Sequence, residues 1–313
     1  MLRLPDAWVW DSWYAEDDQR RHHAFFLRAP RALIDPDRRH RHASIGHAVS
    51  ADLRTWELAP DALAAAAGPS WDDLATWTGS VVRGPGGRWH LFYTGVCRAD
   101  GGRVQRIGLA TSDDLYTWRR HGGEPLVEAD PAWYERLDAS VWPEEAWRDP
   151  WVYPDPGGDG WHMLVTARAG LGPAGGRGVI GHARSADLLR WEVLPPLTQP
   201  AGFGHLEVPQ AAVVNGQPLL LFCSDRVSRS DAGPGDRIWV APGSSVTGPW
   251  DVALARPVPW PHLYAPRLVR DLAGAWQLIG FVSEREGRFV GELSDPTFVD
   301  YTTEAGLRPL GII

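Results

Sequence analysis

Three acids sit in largely apolar segments, two of them tryptophan-flanked: Asp11 in Trp-Asp-Ser-Trp (10–13), Asp149 in Trp-Arg-Asp-Pro-Trp (147–151) and Glu207 in His-Leu-Glu-Val-Pro (205–209). An acid in such a segment is costly to bury unless it is paired, hydrogen-bonded or functional. Two or three convergent carboxylates are what glycosidic cleavage needs. One protonates the leaving oxygen, and another attacks the anomeric carbon or activates water. Trp10, Trp13, Trp147 and Trp151 stand beside these acids, and Trp77 falls at the equivalent place of another unit. They offer flat apolar surface to a sugar face and a means of raising an acid's pKa. Each acid taken alone could equally cap a turn. Their occurrence at equivalent places in a repeated unit favours one shared pocket.

The repeat is the element that must position them. GHAVSADLRTWE (46–57), GLATSDDLYTWR (108–119) and GHARSADLLRWE (181–192) start 62 and 73 residues apart, and WVAPGSSVTGPWD (239–251) is a degraded fourth copy. Ser and Asp suit a turn bonded to its own backbone, while Leu and Trp pack between units, so Asp52, Asp114 and Asp187 read as architectural. An aromatic, branched strand precedes each copy: HAFFL (23–27), WHLFYTG (89–95), WHMLVTA (161–167) and QPLLLFC (217–223). AWQLIGF (275–281) supplies a fifth. Such runs, bounded by Gly, Pro and Asp as in GPGGR (84–88) and NGQP (215–218), predict antiparallel hairpins.

Five units in 313 residues predict an all-β, five-bladed β-propeller, read as one domain over 1–313, with a β-sandwich as the alternative. The innermost strand of each blade lines a central channel. Those strands are expected at 10–14, 76–82, 147–153, 205–214 and 263–269. Their markers Asp11, Gly79, Asp149, Glu207 and Ala265 are spaced by 68, 70, 58 and 58 residues. Three of the five begin with an acid.

Composition sets the remaining bounds. With 34 Gly and 27 Pro the chain is poorly suited to long helices. A formal charge of −8 argues against a nucleic-acid backbone as partner. No apolar run is long enough to span a bilayer, and MLRLPDAWVWDSWY lacks a signal-peptide core. A soluble, cytoplasmic protein is expected, with Cys97 and Cys223 as buried thiols and oligomeric state open. Histidines 22, 23, 40, 42 and 47 cluster beside an Arg-rich stretch (31–43) without a metal-ligand pattern. That stretch reads as a solvated loop rimming the pocket, and with 168–178 and 226–237 it is expected to set subsites. No metal or organic cofactor is expected.

As an ordered set, these residues resemble glycoside hydrolase family 32 and its relative family 68, which carry a five-bladed propeller with a funnel-shaped site. Trp10-Asp11-Ser12-Trp13 resembles the W-D-S-W nucleophile motif of family 68 and stands where family 32 has W-M-N-D-P-N-G. Trp77-Thr78-Gly79-Ser80 resembles their aromatic-S-G-S segment, Arg148-Asp149-Pro150 their R-D-P, and Glu207-Val208-Pro209 the E-C-P or E-R-P that carries the acid. GHAVSADLRTWE is similar to the G-H-A-x-S-x-D-L-x-x-W stretch of family 32, and Tyr264-Ala265-Pro266 to its F-Y-A. The likeness runs from about residue 8 to 270.

The resemblance implies Asp11 as nucleophile, Glu207 as acid/base and Asp149 as transition-state stabiliser. It places Arg148 and Asp149 on furanose hydroxyls, and gives Trp10, Trp13, Trp77, Ser80 and Tyr264 as further substrate-binding residues. It implies a retaining β-fructofuranosidase acting on an oligosaccharide or small glycoside. Alternatives are an inverting arabinanase or xylosidase resembling family 43, a fructosyltransferase, and a non-catalytic sugar-binding propeller. Three departures stand out. Too few residues follow the fifth blade for the C-terminal β-sandwich usual in family 32. Phe26-Leu27-Arg28-Ala29-Pro30 replaces Y-Q-Y-N-P, and His262-Leu263-Tyr264 lacks the aspartate before F-Y-A. A furanoside other than β-fructose therefore stays open.

Overall fold

The computed structural model describes residues 1–225, 227, 237–260 and 262–310. Five antiparallel sheets follow one another along the chain. Blade one holds β1 (Ala7–Glu16), β2 (His22–Pro30), β3 (Ser44–Ser50) and β4 (Glu57–Leu63). Blade two holds β5 (Ala75–Arg83), β6 (Trp89–Val96), β7 (Arg106–Ser112) and β8 (Arg119–Arg120). Blade three holds β9 (Trp147–Pro154), β10 (Trp161–Arg168), β11 (Gly178–Ser185) and β12 (Glu192–Leu194). Blade four holds β13 (Glu207–Val214), β14 (Gln217–Cys223), β15 (Ile238–Pro242) and β16 (Arg256–Pro257). Blade five holds β17 (Leu263–Arg270), β18 (Trp276–Arg285), β19 (Arg288–Leu293), β20 (Thr297–Thr302) and β21 (Gly306–Pro309). The innermost strands are β1, β5, β9, β13 and β17, where the sequence places them, and they meet around one axis. The molecule is a five-bladed β-propeller. Leu2 bridges Leu293, so the N-terminal segment adds to the last blade and closes the ring.

The Ser-x-Asp-Leu-x-x-Trp element is the turn from the third strand to the fourth. Asp114 Oδ1 accepts from the backbone of Tyr116 (2.8 Å) and Thr117 (2.7 Å) and from Ser112 Oγ (2.9 Å). Asp52 and Asp187 accept from their own turns in the same way. Leu53, Leu115 and Leu188 take positive φ (62°, 67° and 66°) and are fully buried. A left-handed leucine costs about 1 kcal/mol, and burial of the side chain offsets that cost. The tryptophans pack across blades, Trp118 on Phe25 and Trp191 on Phe92 at ring distances of 5.6 and 5.5 Å. The degraded copy replaces Asp with Ser245, whose Oγ bonds the carbonyl of Gly248 at 2.7 Å.

The histidines do not form one group. His23 and His47 are a buried pair 2.8 Å apart inside blade one, and His162 and His182 repeat the arrangement in blade three at 2.9 Å. His40 and His42 lie in the 3-10 segment Pro36–His42. Cys97 and Cys223 are buried free thiols.

Candidate active site

Every inner strand breaks its register once, and that break builds the site. The slip falls at Asp11 in β1, at Thr78 in β5, at Asp149-Pro150 in β9, at Val208-Pro209 in β13 and at Ala265-Pro266 in β17. Asp11, Asp149, Val208 and Ala265 take positive φ there. A bulge re-aims a side chain that strict alternation would send into a sheet face. In blade two the bulged residue is Thr78, one before the expected marker Gly79. In blade four it is Val208, one after Glu207.

The bulges ring one mouth of the channel, where a cavity of about 370 Å³ is lined from all five blades. Trp10 and Asp11 come from β1, Trp77 and Thr78 from β5, Arg148 and Asp149 from β9, Glu207 and Val208 from β13, and Tyr264 from β17. Leu27, Phe281, Glu144, Arg39 and His40 complete the lining.

Asp11 accepts a short hydrogen bond from the Thr78 hydroxyl. Burial, then the neighbouring Asp149 charge, raise its pKa to about 6 against the pull of Thr78, Arg267 and Arg39. Glu207 Oε1 accepts from Arg148 Nη2 at 2.8 Å, and Oε2 accepts from the Tyr264 hydroxyl. Burial outweighs both partners and brings the Glu207 carboxyl up to about 7. Asp149 Oδ2 accepts from Thr166 Oγ1 (2.7 Å) and from the Val208 backbone (3.2 Å), which leaves Oδ1 for another donor. Arg148 also donates from Nη1 to Glu144 (2.9 Å) and Gln105 (3.0 Å). Burial works against its charge, but Glu144, Glu207 and Asp149 together hold the guanidinium charged.

Of the residues expected from sequence, Asp11, Asp149, Glu207, Trp10, Trp77, Arg148 and Tyr264 converge. Trp13 and Ser80 do not. Trp13 is fully buried and stacks on Phe25, with ring centres 6.5 Å apart. Ser80 Oγ accepts from the Val152 backbone at 3.1 Å and staples blade two to blade three. Trp147 is likewise buried, 4.8 Å from Tyr134, and Trp151 lines the opposite mouth of the channel. The Arg-rich loop does reach the rim, through Arg39 and His40. The 168–178 loop does not: Arg168 is locked to Glu135 at 2.5 Å and to the carbonyl of Gly204 at 2.7 Å. The 226–237 loop lies outside the described residues except Val227 and Arg237. Sequence reasoning missed Thr78 and Glu144. The first is betrayed by the motif beside Trp77. The second stands four residues before Arg148.

A propeller whose five inner strands pool two aspartates, a glutamate and an arginine at one channel mouth belongs to the carboxylate-bearing propellers. Comparison with known proteins narrows that class. The chain belongs to the glycosyl hydrolases family 32, whose N-terminal domain matches residues 15–288. It is 26% identical over 269 residues to an extracellular sucrase of Zymomonas mobilis, covering 72% of this chain and 63% of that protein. It is 31% identical over 172 residues to an insoluble isoenzyme of beta-fructofuranosidase from Oryza sativa, covering 52% of this chain and 25% of that one. The chain thus spans under two thirds of the length of these relatives. Among solved structures, a kestose-bound inulosucrase from Halalkalicoccus jeotgali superposes with a TM-score of 0.76 at 22% identity, covering 96% of this chain and 88% of that one. A Bombyx mori GH32 beta-fructofuranosidase gives 0.74 at 20%, covering 96% and 62%.

Proposed function

We propose that the protein hydrolyses β-fructofuranosides by a retaining double displacement. The observation that carries this reading is the convergence of Asp11, Asp149 and Glu207 on one cavity, with Glu207 bonded to Arg148 and Tyr264. Burial raises both carboxyls, Asp11 to about 6 and Glu207 to about 7, an order that suits a carboxylate nucleophile beside a protonated acid.

In the first step Asp11 attacks the anomeric carbon of the fructosyl unit. Glu207 gives its proton to the departing oxygen, and the glycosidic bond breaks as the Asp11 ester forms. In the second step Glu207 takes a proton from water, the water oxygen attacks the anomeric carbon, and Asp11 leaves as carboxylate. Asp149 presents Oδ1 to ring hydroxyls, because its other oxygen is already bonded. Arg148 orients Glu207 and pairs the negative charge that appears on it once its proton has gone to the leaving oxygen. Trp10 and Trp77 provide the apolar wall.

The test is an assay on sucrose, kestose, inulin, levan and aryl furanosides, with NMR of the first-formed anomer. Retention gives β-fructofuranose first; α product first means an inverting enzyme. Glu207→Gln with an activated fructoside should accumulate a fructosyl ester on Asp11, detectable by mass spectrometry. A wild-type protein that binds sugar yet leaves every furanoside intact is a binding module, and the proposal fails.

A further inference from the structure

Glu144 has no part in the displacement above, yet it lines the same cavity. It stands just before β9, where the backbone is pinned to blade two. Glu145 N donates to the carbonyl of Arg103 at 2.7 Å, and the carbonyl of Glu145 accepts from Gln105 N at 3.3 Å. The Glu145 side chain is taken up by the fold. It is 3% exposed, accepts from the Leu137 backbone at 2.9 Å and pairs with Arg136 at 2.9 Å. Glu144 faces the cavity instead, with 27% of its side chain exposed.

Three neighbours fix the Glu144 carboxylate. Oε1 accepts from Arg148 Nη1 at 2.9 Å and Oε2 from Gln105 Nε2 at 2.9 Å, while His205 Nε2 lies 3.4 Å from Oε1. Glu207 is held by two of the same groups. Arg148 Nη2 donates to its Oε1 at 2.8 Å, and His205 Nδ1 lies 3.6 Å from that oxygen. One guanidinium and one imidazole therefore set the two carboxylates side by side. Holding Arg148 does not by itself require Glu144, because Nη1 also donates to Gln105 Oε1 at 3.0 Å and Nη2 is bonded to Glu207. A further carboxylate beside Glu207 and Asp149 adds like-charge repulsion. What it brings is acceptor capacity. A carboxylate can accept about four hydrogen bonds, and Arg148 and Gln105 use two of them, one on each oxygen.

We propose that Glu144 recognises the leaving group and selects a neutral, polyhydroxylated one, a sugar, by accepting hydrogen bonds from its hydroxyls. This rests on the role of Glu207 as acid: the departing oxygen takes its proton from Glu207, so the unit it carries lies against Glu207 and next to Glu144. The fructosyl unit is held elsewhere, by Asp11 and by Asp149, which meets Arg148 at Nε instead (3.5 Å). A hydroxyl donating to a carboxylate makes a charge-assisted bond. An anionic leaving group meets like charge there, and an alkyl one offers no donor.

The test compares sucrose with methyl β-fructofuranoside, which has the same fructosyl unit and needs the same acid but leaves as methanol. Glu144→Ala should lower the ratio of kcat/KM on sucrose to kcat/KM on the methyl fructoside by about 10- to 100-fold, the loss expected for one hydrogen bond to a charged group. Glu144→Gln keeps the shape and one acceptor oxygen, and should fall between Glu144→Ala and wild type. The ratio removes any change in folding or in acid strength, since both substrates report those equally. An unchanged ratio overturns the proposal. Equal loss on both substrates assigns Glu144 to holding Arg148 and Glu207, and no loss on either assigns it to neither task. A wild type that cleaves neither compound refutes the hydrolase reading, and binding then decides on Glu144 separately. In an Asp11→Asn background, calorimetric titration should show Glu144→Ala weakening sucrose more than the methyl fructoside. Equal weakening, or no binding of sucrose, overturns the assignment of Glu144 whatever the enzyme assay gives.

Discussion

Replacing Asp11 with Asn should make the protein more stable while abolishing turnover. Its folded pKa of about 6 stands above the ordinary 3.8 because burial and Asp149 penalise the charged form. The folded state therefore holds this proton more tightly than the unfolded chain does. The stability it contributes is fully present below about pH 3.8 and is lost as pH rises through 6. About two pKa units correspond to about 3 kcal/mol of penalty at pH 8. Asp11 is half-buried, so solvent at the cavity mouth screens part of this, and about 2–3 kcal/mol is expected. Asparagine carries no charge at any pH, and its carbonyl can accept the Thr78 hydroxyl bond that Asp11 accepts.

For 313 residues the unfolding entropy near Tm is roughly 0.65 kcal/mol/K, so the gain appears as a Tm rise of about 3–5 °C at pH 8. At pH 4 the native Asp11 is already protonated, and the gain should shrink to about 0.5 kcal/mol, under one degree. Paired calorimetric scans of wild type and variant at the two pH values measure the difference directly, since other acid-labile groups cancel between them. A gain equal at pH 4 and pH 8, or a loss of stability at pH 8, refutes the electrostatic account of this carboxylate.

Other expectations follow from the same geometry. The kcat/KM profile should be a narrow bell with limbs near 6 and 7 and a maximum at about pH 6.5, because Asp11 must be ionised while Glu207 is protonated. A plateau over several pH units would contradict it. Tyr264→Phe removes a hydrogen bond that holds Glu207 down, so the basic limb should move upward while the acid limb stays in place. Trp13→Ala should cost about 3–5 kcal/mol of stability through a cavity beneath Phe25. Trp77→Ala, at the cavity wall, should instead raise KM with little change in Tm, and urea melts with steady-state kinetics on the two variants separate these roles.

The inner strands, the turn repeat and the three acids were readable because each depends on local pattern: period-two runs, Ser-x-Asp turns and polar residues where apolar ones are expected. Trp13 misled because adjacency to an acid does not survive a bulge, and Ser80 because its hydroxyl is taken up by the Val152 backbone of the next blade. Trp10 pairs with Leu27 and Ser12 with Phe26, so Asp11 stands outside the ladder and turns into the channel. Its motif neighbours Trp10 and Trp13 end in different settings, one in the cavity wall and one beneath it. Thr78 was hidden for the same reason, since the glycine beside it looks like the break while the ladder slips one residue earlier.

The bulges also explain how five strands from one chain hold carboxylates without a rigid scaffold beneath them. Each bulge frees backbone and side-chain groups, and the next blade takes them up. Thr78 of blade two donates to Asp11 of blade one. Thr94 of blade two accepts from the Asp149 backbone at 2.9 Å while donating to the Thr78 carbonyl at 3.0 Å. Asp149 of blade three accepts from the Val208 backbone of blade four. Arg267 of blade five donates back to Val208 and Pro209. The orientation of every acid is thus set by the neighbouring blade, and a buried hydrogen bond left half-made costs about 1–3 kcal/mol. Ring closure and site geometry are therefore one property: a change that loosens contact between two blades should misplace the carboxylate at their seam before it unfolds either blade.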